Sequence, residues 1–259
     1  MKFSLSDKKI YQKLGFSLDQ EGILTRYMRE GEGWKLHLQN TKSFIIESYK
    51  DKGYKSIAVF GSGWLLDLPI DTIIQDFEEI YLFDIIHPLQ ITHKYKKYPQ
   101  IHFIEMDITG GIAKKVYEII HDKKKVTSIT LSEIANFQFS YPIHFDFVVS
   151  LNILNQLDIL LIDALERHII IDEKEKEEFR YIIQRNHISM LKKYSYCLIS
   201  DWEKVSCEND SNQITTIPLV FVDELDDVEP KEWIWEFDSQ GMYDEESSNV
   251  VFRVKAFRN

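Results

Sequence analysis

From residue 56 onward, short apolar runs alternate with longer stretches of mixed polarity, a pattern that predicts strands separated by helices. Ser56–Phe60 is the first run and stops at Gly61-Ser62-Gly63. A helix is expected next, begun by Asp67 with Pro69 in its first turn, and then a second strand over 80–84 that ends at Asp84. Pro88 opens another helix running into Tyr98 and Pro99, and 101–107 reads as a third strand closed by Asp107. A buried strand over 146–151 precedes two helices, 154–171 and 173–193, and 196–201 supplies a fifth strand ending at Asp201. Two late segments, 233–237 and 250–257, alternate their side chains and are joined by a polar stretch containing Gly241. Residues 1–50 mix charged and aromatic residues without strand-like alternation, and they are expected to form a helical cap on a core of residues 51–259. The stretch from His121 to His144 has a lysine run and Asn136 but no strong period, which suggests a partly helical connection.

A chain of 259 residues suits one large α/β domain or a core with an added cap. Its 31 basic and 42 acidic side chains give a net charge of −11, which repels polyanions and argues against a nucleic-acid partner. Lys94, Lys96, Lys97 and the lysines at 123 to 125 cluster, a pattern read as solvated helix ends and loops. Two cysteines, Cys197 and Cys207, without ligand spacing fit a reducing compartment. No apolar run approaches the roughly twenty residues needed to span a bilayer, so the expectation is a cytoplasmic, soluble protein with no membrane partner. The eight histidines show no metal-ligand spacing, and neither a nucleophile-elbow nor a phosphate-loop motif is present.

The chemistry is carried by the glycine turn and the acid that follows it. Glycines at 61 and 63 permit a turn that side chains would block and let backbone approach a ligand. An acid about twenty residues further on, at the tip of the next strand, is where a nucleotide's ribose is gripped, because a carboxylate accepts from both hydroxyls. The pattern therefore points to an adenosine-containing cofactor. The place of the third glycine in the dinucleotide fingerprint is held by Leu66, and Trp64 crowds a helix start delayed to Asp67, which argues against NAD.

With these units followed by a terminal antiparallel pair, the chain resembles the class I S-adenosylmethionine-dependent methyltransferases. More narrowly, it resembles a bacterial branch that shares Gly61-Ser62-Gly63-Trp64-Leu65-Leu66-Asp67-Leu68-Pro69 and the Ser150 to Leu157 segment. The resemblance implies a Rossmann-like, doubly wound sheet of seven strands, mostly parallel with the last antiparallel, and S-adenosylmethionine as cofactor. It also implies cofactor contacts at Gly61, Ser62, Gly63, Asp84, Ile85, Asp107, Ile108, Leu151 and Asn152. The family's usual acid two residues before the first glycine is Val59 here, and Asp67 is expected to meet the cofactor's ammonium instead. Residues 150–153 lack the signature of enzymes that methylate base or amide nitrogens, which leaves a small molecule or a protein side chain as methyl acceptor, and a small molecule is the leading expectation. Candidate catalytic residues are Asp201, His187 and Asn152, with His87 and Tyr27 behind them. An NAD-dependent oxidoreductase and a non-catalytic methyltransferase-like interaction protein are the alternatives.

Overall fold

The computed structural model describes residues 5–121, 131–135, 139–208, 214–225, 227–243 and 248–259. Its strands are β1 (Ser56–Phe60), β2 (Glu79–Asp84), β3 (Ile101–Glu105), β4 (Phe147–Leu151), β5 (Ser195–Glu208), β6 (Ile214–Pro218), β7 (Lys231–Asp238) and β8 (Ser248–Arg258). They form one sheet in the order β3-β2-β1-β4-β5-β8-β7, with β6 paired to β5 off this path. Strands β1 to β5 run parallel, and β8 lies antiparallel between β5 and β7. This is the mostly parallel sheet with an antiparallel last strand that the resemblance implies, and it departs from the 3-2-1-4-5-6 order of dinucleotide-binding sheets.

Among the described residues there are eight strands where the sequence predicts seven. The extra one exists because β5 runs for 14 residues instead of six. Strand β4 covers one edge of β5 over Ser195 to Ile199, and beyond it β6 pairs with Glu203 to Cys207. All five residues of β6 are exposed, so it carries no apolar alternation from which to be read.

The helices are α1 (Leu5–Lys13), α2 (Phe16–Tyr49), α3 (Ile70–Asp76), α4 (Leu89–Tyr95), α5 (Ile112–His121), α6 (Leu131–Ala135), α7 (Ile159–Glu166) and α8 (Glu173–Leu191). One core cluster joins Tyr11, Val116, Leu161 and Phe179 on one side of the sheet, and a second joins Ile45, Ile73 and Tyr95 on the other. The predicted helix over 154–171 is split: Leu154–Gln156 is a 3-10 turn tied to β5 by Ser200 Oγ donating to Asn155 Oδ1 (3.2 Å), and α7 follows it. Of the predicted connection from His121 to His144, residues 122–130 and 136–138, including Asn136 and the lysines at 123 to 125, lie outside the described residues.

At 34 residues, α2 is about 50 Å long at 1.5 Å per residue. Its second half is core, with Ile45 fully buried and Phe44 and Tyr49 nearly so. Its middle is fastened to the end of β7. Trp34 Nε1 donates to the Phe237 carbonyl (2.9 Å), Arg29 pairs with Asp238 (2.7 Å), and Ser239 Oγ donates to Glu30 (2.7 Å). Gly33 permits this approach, because a Cβ there would stand 3.0 Å from the Glu236 carbonyl oxygen.

Gly31 has no such reason, since a Cβ there would meet nothing within 4 Å. A glycine inside a helix costs about 0.5–1 kcal/mol relative to alanine. Gly31→Ala is therefore expected to raise unfolding free energy by about that amount, read from urea unfolding. A destabilised variant would show that the glycine has a packing role.

Candidate functional site

The tips of β1, β2, β4 and β5 surround a cavity of about 240 Å³ roofed by the first half of α2. All ten residues predicted to contact a cofactor line it: Gly61, Ser62, Gly63, Asp67, Asp84, Ile85, Asp107, Ile108, Leu151 and Asn152. Asp201 lines it as well.

Asp84 faces the glycine turn. Its Oδ2 accepts from the Gly63 amide (2.7 Å) and its Oδ1 from the Ile85 amide (2.8 Å). Burial pushes its pKa up to about 6 against the pull of these amides. A third donor comes from the roof, where Gln20 Nε2 reaches Asp84 Oδ1 at 3.3 Å, while Trp64 Nε1 donates to the Gln20 carbonyl (2.7 Å). These contacts were not legible in the sequence, because α2 is far from the glycine turn along the chain.

The glycine turn differs from the expectation that its amides are open to a ligand. The Gly61 and Ser62 amides both donate to the Phe83 carbonyl, at 3.0 and 3.2 Å, and the Gly63 amide is held by Asp84. Gly61 is required by packing: its φ is +81°, and a Cβ would lie 2.5 Å from the Leu151 carbonyl oxygen. The Ser62 hydroxyl is paired with His87 Nε2 at 3.0 Å.

Asp107 spends both carboxylate oxygens on the turn into α5. Oδ1 accepts from the Thr109 amide (2.9 Å) and hydroxyl (2.6 Å), and Oδ2 from the Ala113 amide (3.0 Å). Burial still raises its pKa. Oδ1 thereby uses both of its lone pairs, and Oδ2, with the Ala113 amide on one, is the oxygen left to accept from a ligand.

At the other end of the cavity, Asn152 stands at φ +48°, a left-handed conformation that asparagine tolerates better than most side chains. Its Nδ2 donates to Asp67 Oδ2 (2.7 Å) and lies 3.4 Å from His37 Nε2. His37 stacks on Trp235 with ring centroids 4.0 Å apart, and its Nδ1 accepts from Trp233 Nε1 (3.1 Å). Indole can only donate, so Nδ1 of His37 is the acceptor in this pair. Burial keeps the ring neutral, with a pKa lowered to about 3. Burial also pushes Asp67 up to about 6, offset in part by the bond from Asn152 and the charge of Lys42.

Asp201 sits where the register between β5 and β8 shifts, a bulge of the kind that re-aims side chains. It is 3 % exposed, and its Oδ1 has no hydrogen-bond partner. Burial, and then the neighbouring charge of Asp67, raise its pKa to about 7. The cavity holds other polar atoms in the same condition: Gln20 Oε1, Arg26 Nε, Asn152 Oδ1 and Trp235 Nε1 are buried and unpartnered. Buried polar atoms are rarely left so, and five around one cavity mark a place for a polar ligand.

The other histidine candidates stand elsewhere. His187, on α8, pairs with the Ser150 hydroxyl (2.8 Å) and meets Phe60 edge-on beneath the strand tips, outside the cavity. Burial lowers its pKa to about 4, so it is a neutral core histidine. His87 is likewise buried and neutral, and Tyr27 packs beside Trp34 without lining the cavity. Among the described residues no group of side chains has metal-ligand geometry, and no helix is long and apolar enough to cross a membrane.

No protein-family model and no curated protein matches the chain. Solved structures do resemble it. The N-methyltransferase NodS from Bradyrhizobium japonicum, with bound S-adenosylhomocysteine, is 12% identical over 84% of this chain and 85% of its own, with a TM-score of 0.38. The Burkholderia thailandensis 1,6-didemethyltoxoflavin-N1-methyltransferase is 9% identical over 100% and 94%, with a TM-score of 0.40. The amino pentose methyltransferase CalS10 from Micromonospora echinaspora is 10% identical over 88% and 95%, with a TM-score of 0.35. At these values the likeness says nothing of chemistry, and the fold rests on the strand order itself.

Proposed function

We propose that this chain is an S-adenosylmethionine-dependent methyltransferase acting on a small-molecule acceptor. The observation that carries the reading is Asp84: a buried carboxylate at the tip of β2, hydrogen-bonded to the Gly63 amide, on a cavity that also holds Asp67, Asp107 and Asn152. The polar groups fit the cofactor: Asp84 would accept from the ribose diol, Asp107 and the Ile108 amide would meet the adenine edge, and Asp67 would hold the ammonium of the methionine tail. When bound, S-adenosylmethionine supplies a methyl carbon activated by its sulfonium. The residues around it need mainly to hold an acceptor in line and exclude water, which suits a cavity roofed by α2.

One contact favours a second reading, a methyltransferase-like module that holds no cofactor: the Gln20 amide is already seated on Asp84. Thermal unfolding with S-adenosylhomocysteine, S-adenosylmethionine and NAD separates the two. A specific ligand at a hundred times its dissociation constant adds about 2.7 kcal/mol of stability. Stabilisation by the two adenosyl-sulfur ligands is expected, and it should be weaker in Asp67→Ala; stabilisation by none of the three would favour the module.

A further inference from the structure

The cavity's charge inventory exceeds what the cofactor uses. Five aspartates (Asp19, Asp67, Asp84, Asp107 and Asp201) line it against one arginine, Arg26, which stands 3.9 Å from Asp19. In the proposed arrangement Asp84 and Asp107 serve the adenosyl group and Asp67 the cofactor's ammonium. Asp201 is left over: 3 % exposed, without a cation, its Oδ1 unpartnered. Among the described residues the Asn155 side chain is its one hydrogen-bonding neighbour, and a buried carboxylate with no cation beside it is costly unless a ligand completes it.

The rest of the lining constrains the rest of the ligand. The same cavity has an aromatic wall of Trp235 and Phe237 from β7, Phe252 from β8 and Trp34 from α2, with Trp34 and Phe237 ring centroids 5.4 Å apart and Trp34 and Trp235 4.8 Å apart. The rings pack on one another and on His37, and the cation beside them, Arg26, lies 5.7 Å from the Phe237 centroid and is turned toward Asp19, so the wall suits a flat apolar group. The indole Nε1 of Trp235 is a second buried, unpartnered group on this wall.

Building on the methyltransferase reading, we infer that the methyl acceptor is a protonated primary or secondary amine on an apolar or aromatic body, with its nitrogen on Asp201 Oδ1 and its body against Trp235 and Phe237. The amine enters as an ammonium. One N–H bond breaks, its proton passes to Asp201 Oδ1, and the freed lone pair forms the new N–C bond. The methyl carbon's bond to sulfur breaks with its electron pair staying on sulfur, and Asp201 returns its proton to water as the methylated ammonium leaves. A carboxyl raised to about 7 by burial is a better base at neutral pH than an ordinary aspartate.

The test titrates phenethylamine, 2-phenylethanol and phenylacetate into the protein with and without S-adenosylhomocysteine, by calorimetry. Phenethylamine is expected to bind at least about tenfold more tightly than the alcohol or the acid, and Asp201→Asn to remove ten- to hundredfold of that affinity, roughly what a charge-assisted hydrogen bond contributes. S-adenosylhomocysteine affinity should stay within about threefold in the variant. Equal binding of amine and alcohol, an unchanged amine affinity in Asp201→Asn, or no amine binding at millimolar concentration would each overturn the inference. The discrimination between amine and alcohol needs no variant, so it stands even if Asp201→Asn folds poorly. Failure of S-adenosylhomocysteine to bind, with amine discrimination intact, would instead sink the methyltransferase reading and leave the amine site standing.

Discussion

Asp84→Ala is expected to weaken S-adenosylhomocysteine binding by a factor on the order of a hundred or more, because it deletes two charge-assisted bonds to the ribose diol. The loss has a second source. The carboxylate also ties the Gly63 and Ile85 amides together at 2.7 and 2.8 Å, and without it the glycine turn is free to shift away from the tip of β2. Asp84→Asn separates these contributions, since an amide keeps one acceptor but offers a donor where a second acceptor is needed. Calorimetry with both variants, alongside their unfolding midpoints, gives the comparison; affinities unchanged within about threefold in both would remove the adenosyl assignment. Because burial raises this carboxyl to about 6, cofactor affinity in the native chain should also fall as the pH drops through that value.

Asp201→Asn is expected to stabilise the ligand-free protein, by an amount that depends on pH. The folded state raises this carboxyl from an ordinary 3.8 to about 7, so its ionised form is destabilising. The penalty is fully present above pH 7, shrinks as the folded state takes up a proton that the unfolded chain does not, and is gone below about pH 4. A raise of this size corresponds to an effect on the order of a few kcal/mol at neutral pH. The native chain's own pH profile is a poorer readout, because three buried histidines act in the opposite sense. His37, His87 and His187, held at about 3, 4 and 4, make the folded state lose stability as the pH falls below 6.5. The difference between variant and native chain cancels them. Denaturant unfolding of both proteins at about pH 4.5 and 8 should show a gain several-fold larger at the higher pH; equal gains at both would mean that Asp201 is not a buried charge.

The parallel half of the fold could be read directly, because its inner strands are buried apolar runs interrupted by Gly61, Asp84 and Asp201, the last of which β5 runs past, and Asp107 stands two residues beyond the partly buried edge strand β3. Such signals are local. Strand β6 gave none, since Ile214 to Pro218 is exposed at every position and owes its pairing to the overlong β5. The site divides the same way. Its floor comes from strand tips and was legible, whereas Gln20, His37 and Trp235 reach the cavity from elements far away in sequence, placed there by packing alone. His187 misled because a histidine on a polar stretch of helix looks reactive, while its partner, Ser150, lies 37 residues earlier on β4.

The continuity of α2 has a mechanical consequence. One rigid rod is embedded in the core at its far end, clasped to β7 around Trp34, and rests its Gln20 on Asp84. The span from the clasp to Gln20 is about 21 Å at 1.5 Å per residue. A tilt of about five degrees about that fulcrum swings Gln20 by roughly 2 Å, enough to break its bond to Asp84 without melting a single turn. Leverage of this kind would turn a small repacking at the clasp into a change in how far the cavity opens beside Asp84.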